Sequence, residues 1–442
     1  MVKTRFVGGL PIQDEIPVDS ATAGPIVYDG YVYFADRKGS AKVSTAKMEK
    51  EKPITESNVD LSDVVDMAYC GHDLPGSGDG TDLFAYVTAD GRLVLPSRGI
   101  NEKLNGKKDE SWRVACTDLG RDGKMVATAV GSRGSVAAVN LDTEKSLWTK
   151  SYKRGAAGSS GLKDETSGIA IGDVNGDGYP EVVFLGDNLV YALDRSGLPV
   201  AGFPVKISRG LPVFGFFSDP VIVDVTGDDV PEILVPSSDG LVYAINGKGK
   251  LLTDGFPMAA GSFEYIDSTN IIQPMSIFVA NAVSDKKSNG PELYALHRNS
   301  LSAFRLRRAS DDAAESAAAW TLPAGGNERT GFFDASKLDD VKKVAAKDEI
   351  SEFFMFPNPV RGGSAKARFE IGAPAKNATL ELYDITGLCV FKAKMSDLEQ
   401  GRNQFEKLDL KHLGSDVYTA RLKVKFESGK TKQKLYRVGV VK

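Results

Sequence analysis

The sequence predicts an all-β protein: a β-propeller of about six or seven blades followed by a small antiparallel Ig-like β-sandwich. Three observations predict it. A pattern recurs roughly every fifty residues. Each copy holds four short apolar β segments. Near residue 350 the recurrence stops and a denser strand pattern begins.

The best copies are "SGIAIGDVNGDGYPEVVFLGDNLVYALDRSGLPVAGFPVKI" from Ser167 and "SDPVIVDVTGDDVPEILVPSSDGLVYAINGKGKLLTDGFPMAA" from Ser218. Asp173 maps to Asp224, Glu181 to Glu232, Tyr191 to Tyr243, and Phe203-Pro204 to Phe256-Pro257. Weaker copies place Asp118, Asp66 and Asn281 at the Asp173 position, and a shorter first copy starts at Ala23. In the best copy the strands read as Gly168–Asp173, Glu181–Gly186, Asn188–Asp194 and Gly202–Ile207. Gly- and Asn-marked turns between them suit antiparallel hairpins. The alternation in Leu189-Val190-Tyr191-Ala192-Leu193 counts against a helical solenoid. A lone four-stranded sheet cannot bury both faces, and radial packing between neighbours solves this.

"GFPVKI", "GFPMAA" and "WTLPAGG" (from Trp320) read as fourth strands of successive blades. "VGGLPIQ" (Val7–Gln13) reads as another. Either it completes the last blade, or a preceding blade lies upstream in a longer protein.

The composition fits this reading. The 442 residues are 42% hydrophobic and 26% charged, with a net charge of −4 and both signs interspersed. That argues against a nucleic-acid surface, which would usually show a clustered basic face. Cys70, Cys116 and Cys389 are too few for a disulfide framework and read as buried free thiols. The three histidines are scattered, which speaks against haem or zinc chemistry. No apolar run reaches the ~20 residues of a membrane span, and the N-terminus lacks a signal-like apolar region.

The stretch Asp173-Val-Asn175-Gly-Asp177-Gly-Tyr179-Pro-Glu181 packs three carboxylates and an amide into one loop. Calcium takes six to eight oxygens, and alternate side chains plus the Tyr179 carbonyl could wrap one ion. Gly176 and Gly178 permit a tight wrap. Without a cation the carboxylates repel and raise one another's pKa. An EF-hand would need Glu where Phe184 stands. The loop resembles the calcium loop of FG-GAP and VCBS repeats, which include integrin α-subunit propellers. The resemblance implies Asp173, Asn175, Asp177, Glu181 and the Tyr179 carbonyl as Ca2+ ligands. It implies a weaker second site at Asp224, Thr226, Asp228 and Glu232, where Asp229 replaces the second glycine. A plain Asx-rich turn is the alternative.

The organisation expected is a propeller over 1–332, a linker over 333–350 and a sandwich over 351–442. "FFMFPNPV", "KARFEI", "ATLELYDITG", "LCVFKAK", "NQFEKLDL", "DVYTARLKVKF" and "KQKLYRVGVV" make about seven strands, the size of a small sandwich. In the sixth, Val417, Thr419, Arg421 and Lys423 share one face, and Tyr418, Ala420, Leu422 and Val424 the other. "FPNPV", "LYDITG" and "LGSDVYTARL", closed by "KLYRVGVVK", resemble the C-terminal sorting domain of the type IX secretion system and, in pattern, the Ig-like domain of flagellar hook-capping proteins. Asp416 stands where that family commonly has Gly. The resemblance implies delivery to the outer cell surface or beyond, with the secretion machinery as a partner.

No nucleophile–base pair stands out, and no catalytic residue is assigned. Trp112, Trp148 and Trp320 read as strand packing, against a quinone-dependent dehydrogenase. The reading is a secreted or cell-surface, non-enzymatic binding or scaffold protein. Its protein or glycan ligand would meet long loops at Cys70–Asp82, Ser97–Ser111 and Lys153–Ser167. The alternative is the C-terminal ancillary part of a larger secreted peptidase or glycan hydrolase.

Overall fold

The computed structural model describes the chain outside residues 1, 8–9, 16–20, 29–30, 37–38, 45–53, 56–62, 73–81, 107–109, 153–167, 187–188, 208–218, 238–239, 261–274, 285–286, 298–299, 307–319, 323, 326–328, 339–347 and 399–400. It forms two compact units, Met1–Val341 and Lys342–Lys442.

The first unit opens with a hairpin of β1 (Val2–Val7) and β2 (Leu10–Glu15). Val7 and Leu10–Gln13 therefore belong to a two-stranded sheet of their own, not to the outer strand of a blade. Six antiparallel sheets follow. Blade 1 is β3 (Ala21–Tyr28), β4 (Tyr31–Asp36), β5 (Gly39–Ser44) and β6 (Ile54–Thr55). Blade 2 is β7 (Val64–His72), β8 (Asp82–Thr88), β9 (Arg92–Leu95) and β10 (Ile100–Lys103). Blade 3 is β11 (Trp112–Thr117), β12 (Val126–Gly131), β13 (Ser135–Asn140) and β14 (Lys145–Ser151). Blade 4 is β15 (Ala170–Gly172), β16 (Glu181–Gly186), β17 (Leu189–Leu193) and β18 (Val205–Lys206). Blade 5 is β19 (Val221–Val223), β20 (Glu232–Pro236), β21 (Leu241–Ile245) and β22 (Met258–Ala259). Among the described residues blade 6 has three strands, β23 (Met275–Ser284), β24 (Lys287–His297) and β25 (Ser300–Arg305).

Each blade is a meander, as a propeller requires. Every residue of β12, β13, β16 and β20 is buried. A sheet solvated on one side would alternate; these middle strands are covered on both faces by neighbouring blades. Apolar clusters bridge blades 1 and 2, 2 and 3, 3 to 5, and 5 and 6. Part of the stretch Ser97–Ser111, expected as a binding loop, is instead the fourth strand of blade 2. Residues 73–81 and 153–167 of the other two expected loops lie outside the described residues.

The segment after blade 6 corrects another expectation. Trp320 exchanges two backbone hydrogen bonds of 2.8 Å with Ile222, on the innermost strand of blade 5. The Thr321 carbonyl accepts from Val279 on β23 at 2.9 Å, the Thr330 carbonyl from Tyr69 on β7 at 2.7 Å, and the Gly331 carbonyl from Cys116 on β11 at 2.7 Å. β26 (Phe332–Phe333) then runs parallel to β11. One segment thus meets the inner strands of blades 5, 6, 2 and 3, so it occupies the axis of the ring. "WTLPAGG" is an axial filler, not a fourth strand. Trp320 is 1% exposed, and Phe333, Ala335 and Leu338 pack into the central core, so residues 333–338 belong to the propeller and not to a linker. Gly331 has φ 64°, and a Cβ there would come within 2.9 Å of the Ala68 Cβ. A side chain would push the segment off β7.

The cysteines also depart from expectation. Cys70 on β7 and Cys116 on β11 form a disulfide, their Cα atoms 5.2 Å apart, and Cys389 is exposed. A separation of 46 residues conceals the pairing; ring geometry brings the two innermost strands side by side.

In the second unit β27 (Ile350–Phe356), β29 (Ser364–Ile371) and β32 (Gly401–Asp409) form one sheet. The other sheet runs β28-β34-β33-β30-β31, with β28 at Val360–Arg361, β30 at Ala375–Tyr383, β31 at Cys389–Leu398, β33 at Asp416–Phe426 and β34 at Thr431–Val441. Both sheets face one apolar core that includes Phe369, Leu380, Leu422 and Phe426. Along β33, Tyr418, Ala420, Leu422 and Val424 are buried while Val417 to Lys423 at alternate positions face out, as the alternation requires. Asp384 accepts from the Thr386 and Leu388 amides at 2.9 Å each, and Gly387 has φ 83°, closing the β30–β31 turn.

Candidate functional site

The acidic loop of blade 4 leaves the C-terminal end of β15 and returns into β16. Asp173 folds it: one carboxylate oxygen accepts from the Gly176 and Asp177 amides at 2.8 and 3.1 Å, the other from Gly178 at 2.7 Å. Gly176 and Gly178 have φ 72° and 86°, the left-handed conformation this wrap demands. Glu181, the first residue of β16, is 1% exposed. It accepts from the Val174 amide at 3.0 Å and from the Asn175 side-chain amide at 2.8 Å. The same Asn175 nitrogen reaches Asp177 at 3.1 Å.

The loop therefore brings Asp173, Asn175, Asp177 and Glu181 together, with one amide NH2 bridging two carboxylates. Burial pushes the Glu181 carboxyl well above its ordinary range, and the Asp177 and Asp173 charges push the same way. Asp173 is raised too, by burial first, while the Gly178 amide opposes. The donor set is all oxygen and anionic, the chemistry of a hard divalent cation. Among the described residues no three acidic, His or Cys side chains already stand gathered at metal-binding separation. The cradle closes on its own amide, and an ion would require Asn175 to present its oxygen instead.

Blade 5 repeats the cradle. Asp224 accepts from the Thr226 and Gly227 amides at 3.0 and 2.7 Å and from Asp229 at 2.9 Å. Glu232 accepts from the Val225 amide at 3.0 Å and the Thr226 hydroxyl at 3.2 Å. Burial raises Glu232 to about 7, with Asp224 and Asp228 contributing. Asp228 accepts from the Val230 amide at 3.1 Å.

The two loops are held by their neighbours. A Cβ on Gly247, in blade 5, would lie 1.9 Å from the Val174 carbonyl oxygen. Arg121, in the blade 3 loop, donates to the Gly178 carbonyl at 3.0 Å and to the Leu338 carbonyl at 2.9 Å, tying the acidic loop to the axial segment. Arg195 lies 4.4 Å over the Tyr179 ring.

Two residues aligned with Asp173 fall elsewhere. Asn281 lies inside β23, paired with Pro291 on β24, and the register shifts between Asn281 and Val283. Asp66 stands near the start of β7, not after its end, and accepts from the Val114 amide at 3.0 Å. It belongs to a group that sequence reasoning missed. Asp219, just before β19, accepts from the Gly168 amide. Arg113 interacts electrostatically with both aspartates, and Arg329 of the axial segment with Asp219. Burial raises Asp66 to about 6, against the pull of Arg113. Asp219 is likewise raised by burial, against Gly168, Arg113 and Arg329. These groups lie at the beginnings of the inner strands; the acidic loops lie at their ends. Asp219 and Asp224 flank the same three-residue strand. Only the ring brings the axial residues together, so spacing along the chain carries no signal for them.

Comparison with known proteins adds one family. Residues 354–436 match the secretion system C-terminal sorting domain. The second unit is a type IX sorting domain, and the protein is exported to the bacterial cell surface or beyond. A search of curated proteins found no match. Similar solved structures include the extracellular domain of BT3049 from B. thetaiotaomicron (12% identity, TM-score 0.37, 96% of this chain and 56% of that one). PorZ of Porphyromonas gingivalis, a surface component of the type-IX secretion system, gives 14% identity, TM-score 0.35, and 95% and 51% coverage. BamB from Moraxella catarrhalis gives 12%, 0.35, and 93% and 96%. The chain spans about half the length of the first two structures. Among the described residues no helix is long and apolar enough to cross a membrane.

Proposed function

We propose that this is an exported binding protein whose propeller is braced by calcium at the acidic loops of blades 4 and 5, in the manner of FG-GAP and VCBS repeats. Asp173, Asn175, Asp177, Glu181 and the Tyr179 carbonyl hold the stronger ion; Asp224, Thr226, Asp228 and Glu232 hold the weaker. The observation that carries this reading is the cradle found in both blades, in which a buried glutamate and a loop-folding aspartate share one small space. A buried glutamate crowded by neighbouring carboxylates gains from a counter-charge. The ion's role is structural, since it pins one end of the inner strands. The other end, where Asp66, Arg113, Asp219 and Arg329 converge, is the binding face, and its ligand is a protein or glycan.

Calorimetric titration of calcium into the purified chain and into Asp173→Ala tests the first half. Heat in the wild type and its loss in the variant is expected; superimposable traces rule the site out. For the second half, a glycan array and surface-protein pull-down are run with the wild type and with Asp66→Asn/Asp219→Asn. Ligands retained equally by both would place the binding face elsewhere.

A further inference from the structure

The sorting domain carries a face whose charge is out of proportion to the rest of the chain. On β30 the outward residues are Asn377, Thr379, Glu381 and Tyr383. Across from Glu381 stand Lys392 on β31 and Arg421 on β33; across from Thr379 stand Lys394 and Lys423; across from Asn377 stands Lys425. Arg437 on β34 pairs with outward-facing Thr419. Among the described residues six cations thus share one sheet face with one carboxylate, in a chain whose overall charge is −4.

That carboxylate is already engaged. Glu381 is buried and contacts Lys392 at 3.0 Å, Arg421 at 2.8 Å and Lys423 at 3.6 Å. Burial alone would raise it; the Lys392 bond with the Lys423 and Arg421 charges outweighs burial and leaves it below its ordinary range. Glu381 organises three cations and cannot neutralise them. Lys394, Lys425 and Arg437 remain exposed beside them. Between the cations two apolar side chains face solvent: Leu435, 60% exposed and opposite Arg421, and Val417, 59% exposed. A dense positive patch around two exposed apolar side chains is complementary to a negative patch on a partner protein.

We propose that this face, centred on Arg421 and Leu435, docks the sorting domain onto an acidic protein surface of the secretion machinery. The inference rests on the sorting-domain assignment and adds the face and the chemistry of its partner. The acidic partner neutralises the excess cations and covers Leu435 and Val417. Because the attraction is electrostatic, it acts chiefly on the rate of encounter and weakens with salt.

The full chain is expressed in a bacterium with a type IX system, as wild type and as Lys394→Glu/Lys425→Glu/Arg437→Glu. None of these three residues touches Glu381, so the thermal midpoint should hold. Export is read by cell fractionation and should fall by about tenfold or more, with full-length protein retained inside the outer membrane. A photo-crosslinker at Leu435 should join the wild type, and not the variant, to a machinery component with an acidic patch. If the triple reversal unfolds, the three glutamine substitutions carry the same test. Wild-type export by a folded variant overturns the proposal. So does binding of the wild type to phosphatidylglycerol vesicles with no crosslink to protein, which would make the occupant a membrane. Deleting residues 342–442 without loss of export would instead overturn the sorting-domain reading itself.

Discussion

Replacing Glu181 by Gln separates the two things its carboxylate does. With a chelator present, Glu181 is a buried acid beside Asp173 and Asp177, raised by burial and their charges and held in place by hydrogen bonds from Val174 and Asn175. Glutamine keeps one acceptor and removes the repulsion. The amide mismatch it introduces costs about 1 kcal/mol, and relief of like-charge repulsion offsets this, so stability without calcium should change by no more than about 1 kcal/mol. With calcium the balance differs. Extracellular calcium modules bind at about 10⁻⁴–10⁻³ M. At about 10 mM ion, binding to the native state then contributes about 1.4–2.7 kcal/mol. A unit of this size gains about 2 °C per kcal/mol, so the wild-type midpoint should rise by about 3–5 °C between chelator and calcium. Scanning calorimetry on both proteins reads this directly. Glu181→Gln should lose at least half the rise, the remainder belonging to the blade 5 site. A full rise in the variant, or none in the wild type, would refute the cradle as an ion site.

Other outcomes follow from the same geometry. Gly247→Ala changes no ligand, yet its Cβ meets the Val174 carbonyl; it should lower stability by about 1–3 kcal/mol and weaken calcium binding in titration. In chelator, stability should decline as pH rises from about 4.5 to about 7, because the unfolded chain ionises first while folded Glu232, raised to about 7, keeps its proton. Asp66, raised to about 6, adds the same sign from about 3.8 upward; saturating calcium should flatten the Glu232 part, as denaturation across pH would show. Cys70→Ala/Cys116→Ala should cost about 2–4 kcal/mol, and reductant should lower the wild-type midpoint but leave the variant's unchanged.

Most of the architecture is legible because strand period and turn chemistry are local. Leu189–Leu193 alternates, Gly176 and Gly178 mark the loop, and the structure puts strands where those signals stand. The acidic cradle is legible for the same reason: its four side chains lie within nine consecutive residues. What fails is non-local. "WTLPAGG" has the composition of an outer strand, and only the pairing of Trp320 with Ile222 reveals an axial segment. Asp66 aligns with Asp173 by neighbouring apolar residues, but β7 runs on past it to His72 where β15 ends before Asp173, which leaves Asp66 near the other end of its strand. Cys70 and Cys116 become partners through the adjacency of two inner strands that no spacing encodes. The alternation of β33 was readable, yet its excess of cations emerges only when β30, β31 and β34 are laid beside it.

The axial segment also sets an order of assembly. Blades 2 and 3 are made early, but the backbone groups they offer at Tyr69 and Cys116 wait for Thr330 and Gly331, among the last propeller residues to emerge. The centre of the wheel is therefore finished just before the export address is. A chain cut short of Phe333 loses its hub along with its destination.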